Sequence, residues 1–139
     1  MSDTRLFLPL LTLIGWTFCV LLVIPYRRFK AAFAGRVTAE DFCSGESDKV
    51  PPDVSIPNRA FMNLLEAPLL FYVVCLVAFV TGNVVPASIA LAWGYVALRV
   101  LHSLVYLTYN RVLHRFAVFA ASNLVLAALW LQLTLTLLR

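Results

Sequence analysis

Four stretches of about 20 apolar residues each, at residues 6–26, 58–80, 86–107 and 112–137, take up most of this chain of 139 residues. A hydrocarbon core of roughly 30 Å is crossed by about 20 apolar residues in a helix, where every backbone N–H and C=O finds its partner inside the segment. The chain therefore reads as an all-α membrane protein, a four-transmembrane-helix bundle in a single domain (1–139). Composition agrees: 62% of the residues are hydrophobic and 13% charged, far from the mix that keeps a soluble domain in solution. What is left over is too short for a separate soluble domain.

The first stretch is long for the apolar part of a signal peptide, and no small-x-small site precedes the basic cluster Arg27, Arg28 and Lys30. It reads as a retained span. The connections at Thr81, Gly82, Asn83 and Pro86 and at Thr108, Tyr109 and Asn110 are short, so neighbouring helices are expected to pack antiparallel. The hydrophilic segment 27–57 reads as a loop. Its basic residues, with Arg111 and Arg115, outnumber Arg5 and Arg139 on the other side, which puts the loop in the cytoplasm and both termini away from it. No internal repeat marks an inverted-repeat transporter.

The net charge of +4 does not indicate nucleic acid, because most basic residues flank or enter the apolar stretches instead of forming a solvated face. The cysteines, Cys19, Cys43 and Cys75, have no paired spacing. That argues against a disulfide scaffold, a zinc or other metal site, and a membrane thiol oxidase.

Function is legible in the polar residues of the spans. Arg59, Asn63 and Glu66 stand at i, i+4 and i+7, on one helical face. Charges in a span cost several kcal/mol unless they pair or face a wet cavity, so the stripe is expected to point inward. Pro68, two residues on, is placed to bend the helix near it. Arg99, His102 and Tyr106 repeat the device in the third span, and at 1.5 Å per residue Glu66 and Arg99 lie level, roughly 10–12 Å below one membrane face. An ion pair between them is expected, which alone could be a structural salt bridge. Arg59 and Arg115, with Arg27 or Arg111 as further candidates, then remain without an acidic partner in the spans. The cluster is net positive and suits an anion, a carboxylate-bearing or thiolate-bearing ligand. Each member also has a plainer reading: His102 as an interhelical hydrogen bonder, Tyr106 as an interfacial belt residue, Arg111 and Arg115 as positive-inside anchors.

The segment N-R-A-F-M-N-L-L-E-A-P, residues 58–68, resembles the second-helix signature R-x-x-x-N-x-x-E of the MAPEG family, the membrane-associated proteins of eicosanoid and glutathione metabolism. R-V-L-H-S-L-V-Y, residues 99–106, is similar to the third helix of that family's prostaglandin E synthase branch, and the glutathione transferases are close in pattern too. Nearly the whole chain shares the resemblance. It implies a homotrimer with glutathione, the co-substrate, held between subunits near the cytoplasmic side. Arg59, Asn63 and Glu66 would hold the tripeptide; Arg99, His102 and Tyr106 would line the pocket; Arg27 would reach it from the adjoining subunit. Arg115 occupies the position of the family's catalytic arginine and would stabilise the thiolate, with Arg111, one turn earlier on the same face, as the alternative. The thiolate would attack a hydrophobic electrophile or reduce a lipid hydroperoxide arriving from the bilayer.

Two positions depart from that pattern. Phe119 stands where the prostaglandin E synthase branch has a tyrosine, and Phe116 replaces a serine, which counts against prostaglandin isomerisation. The reading is a membrane glutathione transferase or glutathione-dependent peroxidase, with a non-catalytic protein of the same fold that binds glutathione or lipid as the alternative. A small multidrug exporter ranks below both, since such exporters need a carboxylate in the first span and residues 6–26 contain none. Compact loops and the lack of a retention signal favour a bacterial inner membrane over an endoplasmic reticulum.

Overall fold

Every long apolar run of the chain is helical. A computed structural model describes residues 3–138; Arg139, used above in the charge count, lies outside the described residues. Helix α1 runs Phe7–Phe33, α2 Pro52–Val80, α3 Pro86–Leu107 and α4 Val112–Leu137, and all four are long and apolar enough to cross a membrane.

The first two helices outrun their apolar spans. Arg27, Arg28 and Lys30 continue α1 for another turn and more, because straight-chain basic residues are good helix formers and can keep their heads in the interface. Pro52 opens α2 at a position whose N–H has no intrahelical partner in any case. The loop is thereby shortened to residues 34–51 and tied back on both sides. Arg28 pairs with Glu46 at 3.0 Å and lies over the Phe42 ring at 4.6 Å, and Arg36 meets Asp53 through two bonds of 3.2 and 3.0 Å. The Asp53 carboxylate holds the Arg36 guanidinium above its ordinary pKa. Inside the loop, Asp41 closes a turn by accepting from the Thr38 N–H at 2.9 Å and the Ser47 hydroxyl at 3.2 Å. The Thr38 N–H, ahead of the two hydroxyl contacts, keeps the Asp41 carboxyl below its ordinary value.

Short connections make α2, α3 and α4 an antiparallel series, so the end of α1, the start of α2, the end of α3 and the start of α4 meet at one end of the bundle. Helix α3 is the hub, the least apolar of the four and the most buried. In lipid, apolar surface gains little from leaving one hydrocarbon for another, so small residues and interhelical hydrogen bonds hold helices together. Ala31, Ala60, Ala78 and Ala92 are buried. Three side-chain bonds then join α3 to each other helix: Trp16 Nε1 donates to Ser103 Oγ at 2.7 Å, Gln132 Nε2 to Ser88 Oγ at 3.0 Å, and Arg99 to the Asn63 carbonyl. The core packs Phe71 on Tyr95, ring centres 4.5 Å apart, with Leu13, Leu64 and Leu129 around them.

Candidate functional site

The buried register of α2 is Val54, Pro57, Ala60, Leu64, Pro68, Phe71, Cys75 and Ala78, three or four residues apart as one packed face demands. Arg59 and Glu66 miss it. Glu66 stands two residues past Leu64, a rotation of about 200° at 3.6 residues per turn, so it lies nearly opposite the core. Both charges are exposed on the outside of the chain's own bundle, and only Asn63, at the edge of that face, is partly buried. The expectation that the stripe points inward is corrected here: within one chain its two charged members face out. The spacing had put them on one face rightly but could not say which way that face turned.

The Glu66–Arg99 ion pair is likewise not formed. Among the described residues the ion pairs are Arg5–Asp3, Arg28–Glu46 and Arg36–Asp53. Glu66 is exposed on the outside of the bundle, while Arg99 is completely buried. Arg99 Nη2 donates to the Asn63 backbone carbonyl, and its guanidinium lies 5.6 Å from the centre of the Phe119 ring. Its Nε and Nη1 have no partner among the described residues. Arg99 thus touches α2 and α4 from α3 and is not among the residues that line the neighbouring pocket.

In front of Arg99 a pocket of about 240 Å³ opens between α2, α3 and α4. Its polar lining is Asn63, His102, Tyr106 and Arg115; its apolar lining is Val112, Phe116 and Phe119. His102, buried on α3, has its ring centre 5.7 Å from that of Phe119 and 6.1 Å from that of Tyr106. Asn63 Nδ2 donates to its own helix, to the Arg59 carbonyl at 2.9 Å, leaving its amide oxygen for other donors. Arg115 is one turn into α4. Its guanidinium lies over the Tyr106 ring, 4.2 Å from the centre, and its Nη1 donates to Asn110 Oδ1 at 2.8 Å. The acceptor is neutral, so the charge of Arg115 is oriented without being cancelled, and with Arg99 behind it the pocket favours an anion.

The remaining candidates lie elsewhere. Arg111 is exposed at the start of α4, where its carbonyl accepts the Arg115 N–H at 3.0 Å; it does not line the pocket. Arg27 borders a separate cavity of about 260 Å³ with Asp53, Ile56, Pro57, Leu107 and Thr108. The structure therefore gathers Asn63, His102, Tyr106 and Arg115, sets Arg99 behind them, and leaves Arg27, Arg59, Glu66 and Arg111 outside. Sequence reasoning missed Val112, whose apolar character gave no signal, and treated Asn110 only as a turn residue.

A match to the MAPEG family model covers residues 6–135. No curated protein and no solved structure matches the chain.

Proposed function

The chain belongs to the MAPEG family, and on that premise we propose that this integral membrane protein is a glutathione transferase or glutathione-dependent peroxidase acting on lipophilic substrates. The observation that carries the reading is Arg115: a cation with no acidic partner among the described residues, lining one pocket with the apolar Phe116, Phe119 and Val112. Arg115 is preferred to Arg111 because it lines that pocket and Arg111 does not. A guanidinium beside the cysteinyl sulfur of glutathione favours the ionised thiol, which is the nucleophile. The proton leaves to solvent. The sulfur pair then forms a bond to an electrophilic carbon while the leaving group departs with the old bonding pair. With a hydroperoxide, the sulfur takes the terminal oxygen instead, the O–O bond breaks and the alkoxide leaves as the alcohol with a proton from solvent; the thiol of a second glutathione then attacks the sulfenic sulfur, forming the disulfide and releasing water.

The pocket in one chain is small for a tripeptide plus a lipophilic partner, since ligand sites usually span about 300–1,000 Å³. Charged side chains left facing lipid cost several kcal/mol, and Arg59 and Glu66 face outward from the bundle. Both points support a homotrimer in which the stripe on α2 is covered by ligand and by a neighbouring subunit, with the neighbour's first helix contributing Arg27. Asn63, His102 and Tyr106 then hold the tripeptide backbone, and Arg59 and Glu66 its charged ends.

Protein purified in detergent with glutathione is expected to show thiolate absorbance at neutral pH and to conjugate a model aryl halide. Arg115→Ala removes the thiolate with little loss of binding; Glu66→Ala mainly weakens binding, by about tenfold if one charge-assisted contact is lost. Loss of thiolate in Arg111→Ala alone would transfer the role to that residue. One observation favours the non-catalytic alternative: with Phe116 and Phe119 in place, Tyr106 carries the one hydroxyl that lines the pocket among the described residues, and its ring face is turned to Arg115. Glutathione binding with neither thiolate nor conjugation decides for a binding protein.

A further inference from the structure

Asn110 lies between α3 and α4, and its backbone is in the left-handed region at φ 46°. That region is rare for residues with a side chain, and asparagine and aspartate tolerate it best after glycine. The residue is held at both ends. Its N–H donates to the Val105 carbonyl at 2.8 Å, closing the last turn of α3, and its side-chain oxygen accepts from Arg115 Nη1 at 2.8 Å in the first turn of α4. The Tyr106 ring supports the guanidinium at 4.2 Å. Between these two contacts the long, flexible arginine side chain has little freedom left.

The acceptor's chemistry matters as much as its place. A carboxylate at position 110 would hold the guanidinium equally well and cancel its charge for any anion in the pocket; the amide oxygen holds it and cancels nothing. We propose that Asn110 is a positioning residue that fixes Arg115 for thiolate stabilisation while leaving its charge undiminished. This role rests on the thiolate reading of the pocket.

A plain turn residue and a positioning residue give different series of variants. If only the left-handed backbone matters, Asn110→Gly and Asn110→Asp both behave as wild type, because both residues accept that conformation. If Asn110 positions Arg115, both fail, for different reasons: glycine frees the guanidinium, and aspartate neutralises it. The experiment is a pH titration of the thiolate absorbance of bound glutathione, with binding of S-methylglutathione, which has no thiol to ionise, as the check on fold and tripeptide site. Both variants are expected to bind S-methylglutathione as wild type does and to raise the thiolate midpoint by about one pH unit, an approximately tenfold lower thiolate-to-thiol ratio at any fixed pH. A wild-type midpoint in both variants, or in Asn110→Asp alone, overturns the role of Asn110 and leaves that of Arg115 standing. Wild-type protein that forms no bound thiolate overturns the reading of the pocket and this role together.

Discussion

Arg99 is a guanidinium sealed inside a membrane bundle that, among the described residues, makes one hydrogen bond, to the Asn63 carbonyl, and no ion pair. Burying a charge is expensive unless it is paired, so an apolar side chain of similar length removes a desolvation cost that one hydrogen bond offsets only in part. Arg99→Met is therefore expected to leave the thermal midpoint unchanged or higher. If Arg99 also lends its field to the pocket, the same variant lowers glutathione affinity by about fivefold, the worth of ~1 kcal/mol from one nearby charge. A lowered midpoint with unchanged affinity would make it a clamp alone. Lysine is no substitute here, since it cannot donate to Asn63 and lie over Phe119 as a planar group. The residue types were readable in the chain as a polar face, but their roles were not. Arg99 is buried and Glu66 exposed because they differ in azimuth, and azimuth depends on which side of each helix the neighbours cover.

Among the elements, the loop at residues 34–51 is the piece whose order depends on titratable contacts. Asp41 has its carboxyl held below 3.8 by the Thr38 N–H and the Ser47 and Thr38 hydroxyls. A depressed carboxyl stabilises the turn above the unfolded value of about 3.9 and loses that contribution as pH falls through the folded value. Amide exchange at Thr38 is thus expected to keep a constant protection factor from neutral pH down to about 4 and to lose it below. Asp41→Asn is expected to show the reduced factor already at neutral pH; an unchanged factor would mean the turn is held by packing. The end of α2, both ends of α3 and the start of α4 were legible because Asn83, Pro86, Thr108 and Asn110 are turn formers. The end of α1 and the start of α2 were not, because apolar length marks only the hydrophobic part of a helix, while Arg27, Arg28 and Lys30 extend α1 and Pro52 opens α2 inside the segment read as a loop.

At the scale of the whole molecule, the separation of Arg27 from the Arg115 pocket in one chain tests how the site is assembled. In a cyclic assembly each interface would draw Arg115 from one subunit and Arg27 from the next. Arg27→Ala and Arg115→Ala are each expected to be inactive alone. Co-expressed, they are expected to recover about a quarter of wild-type activity, the chance that an interface draws each intact residue from the appropriate variant. No recovery, with mixed oligomers demonstrated, would place both residues in the same subunit's site.

A membrane bundle of four helices, antiparallel neighbours and basic side chains gathered at one end could all be read along the chain, because hydrophobic length and turn chemistry are local properties. The resemblance to the family was read there too, in Arg59, Asn63 and Glu66. That Asn63, His102, Tyr106 and Arg115 share one pocket, that Arg99 is buried outside its lining, and that Arg59 and Glu66 face outward came from the packing of the helices alone. Those facts depend on how each helix is rotated about its axis. That rotation is set by contacts between residues far apart in the chain, such as Trp16 with Ser103 and Gln132 with Ser88, which no local pattern contains.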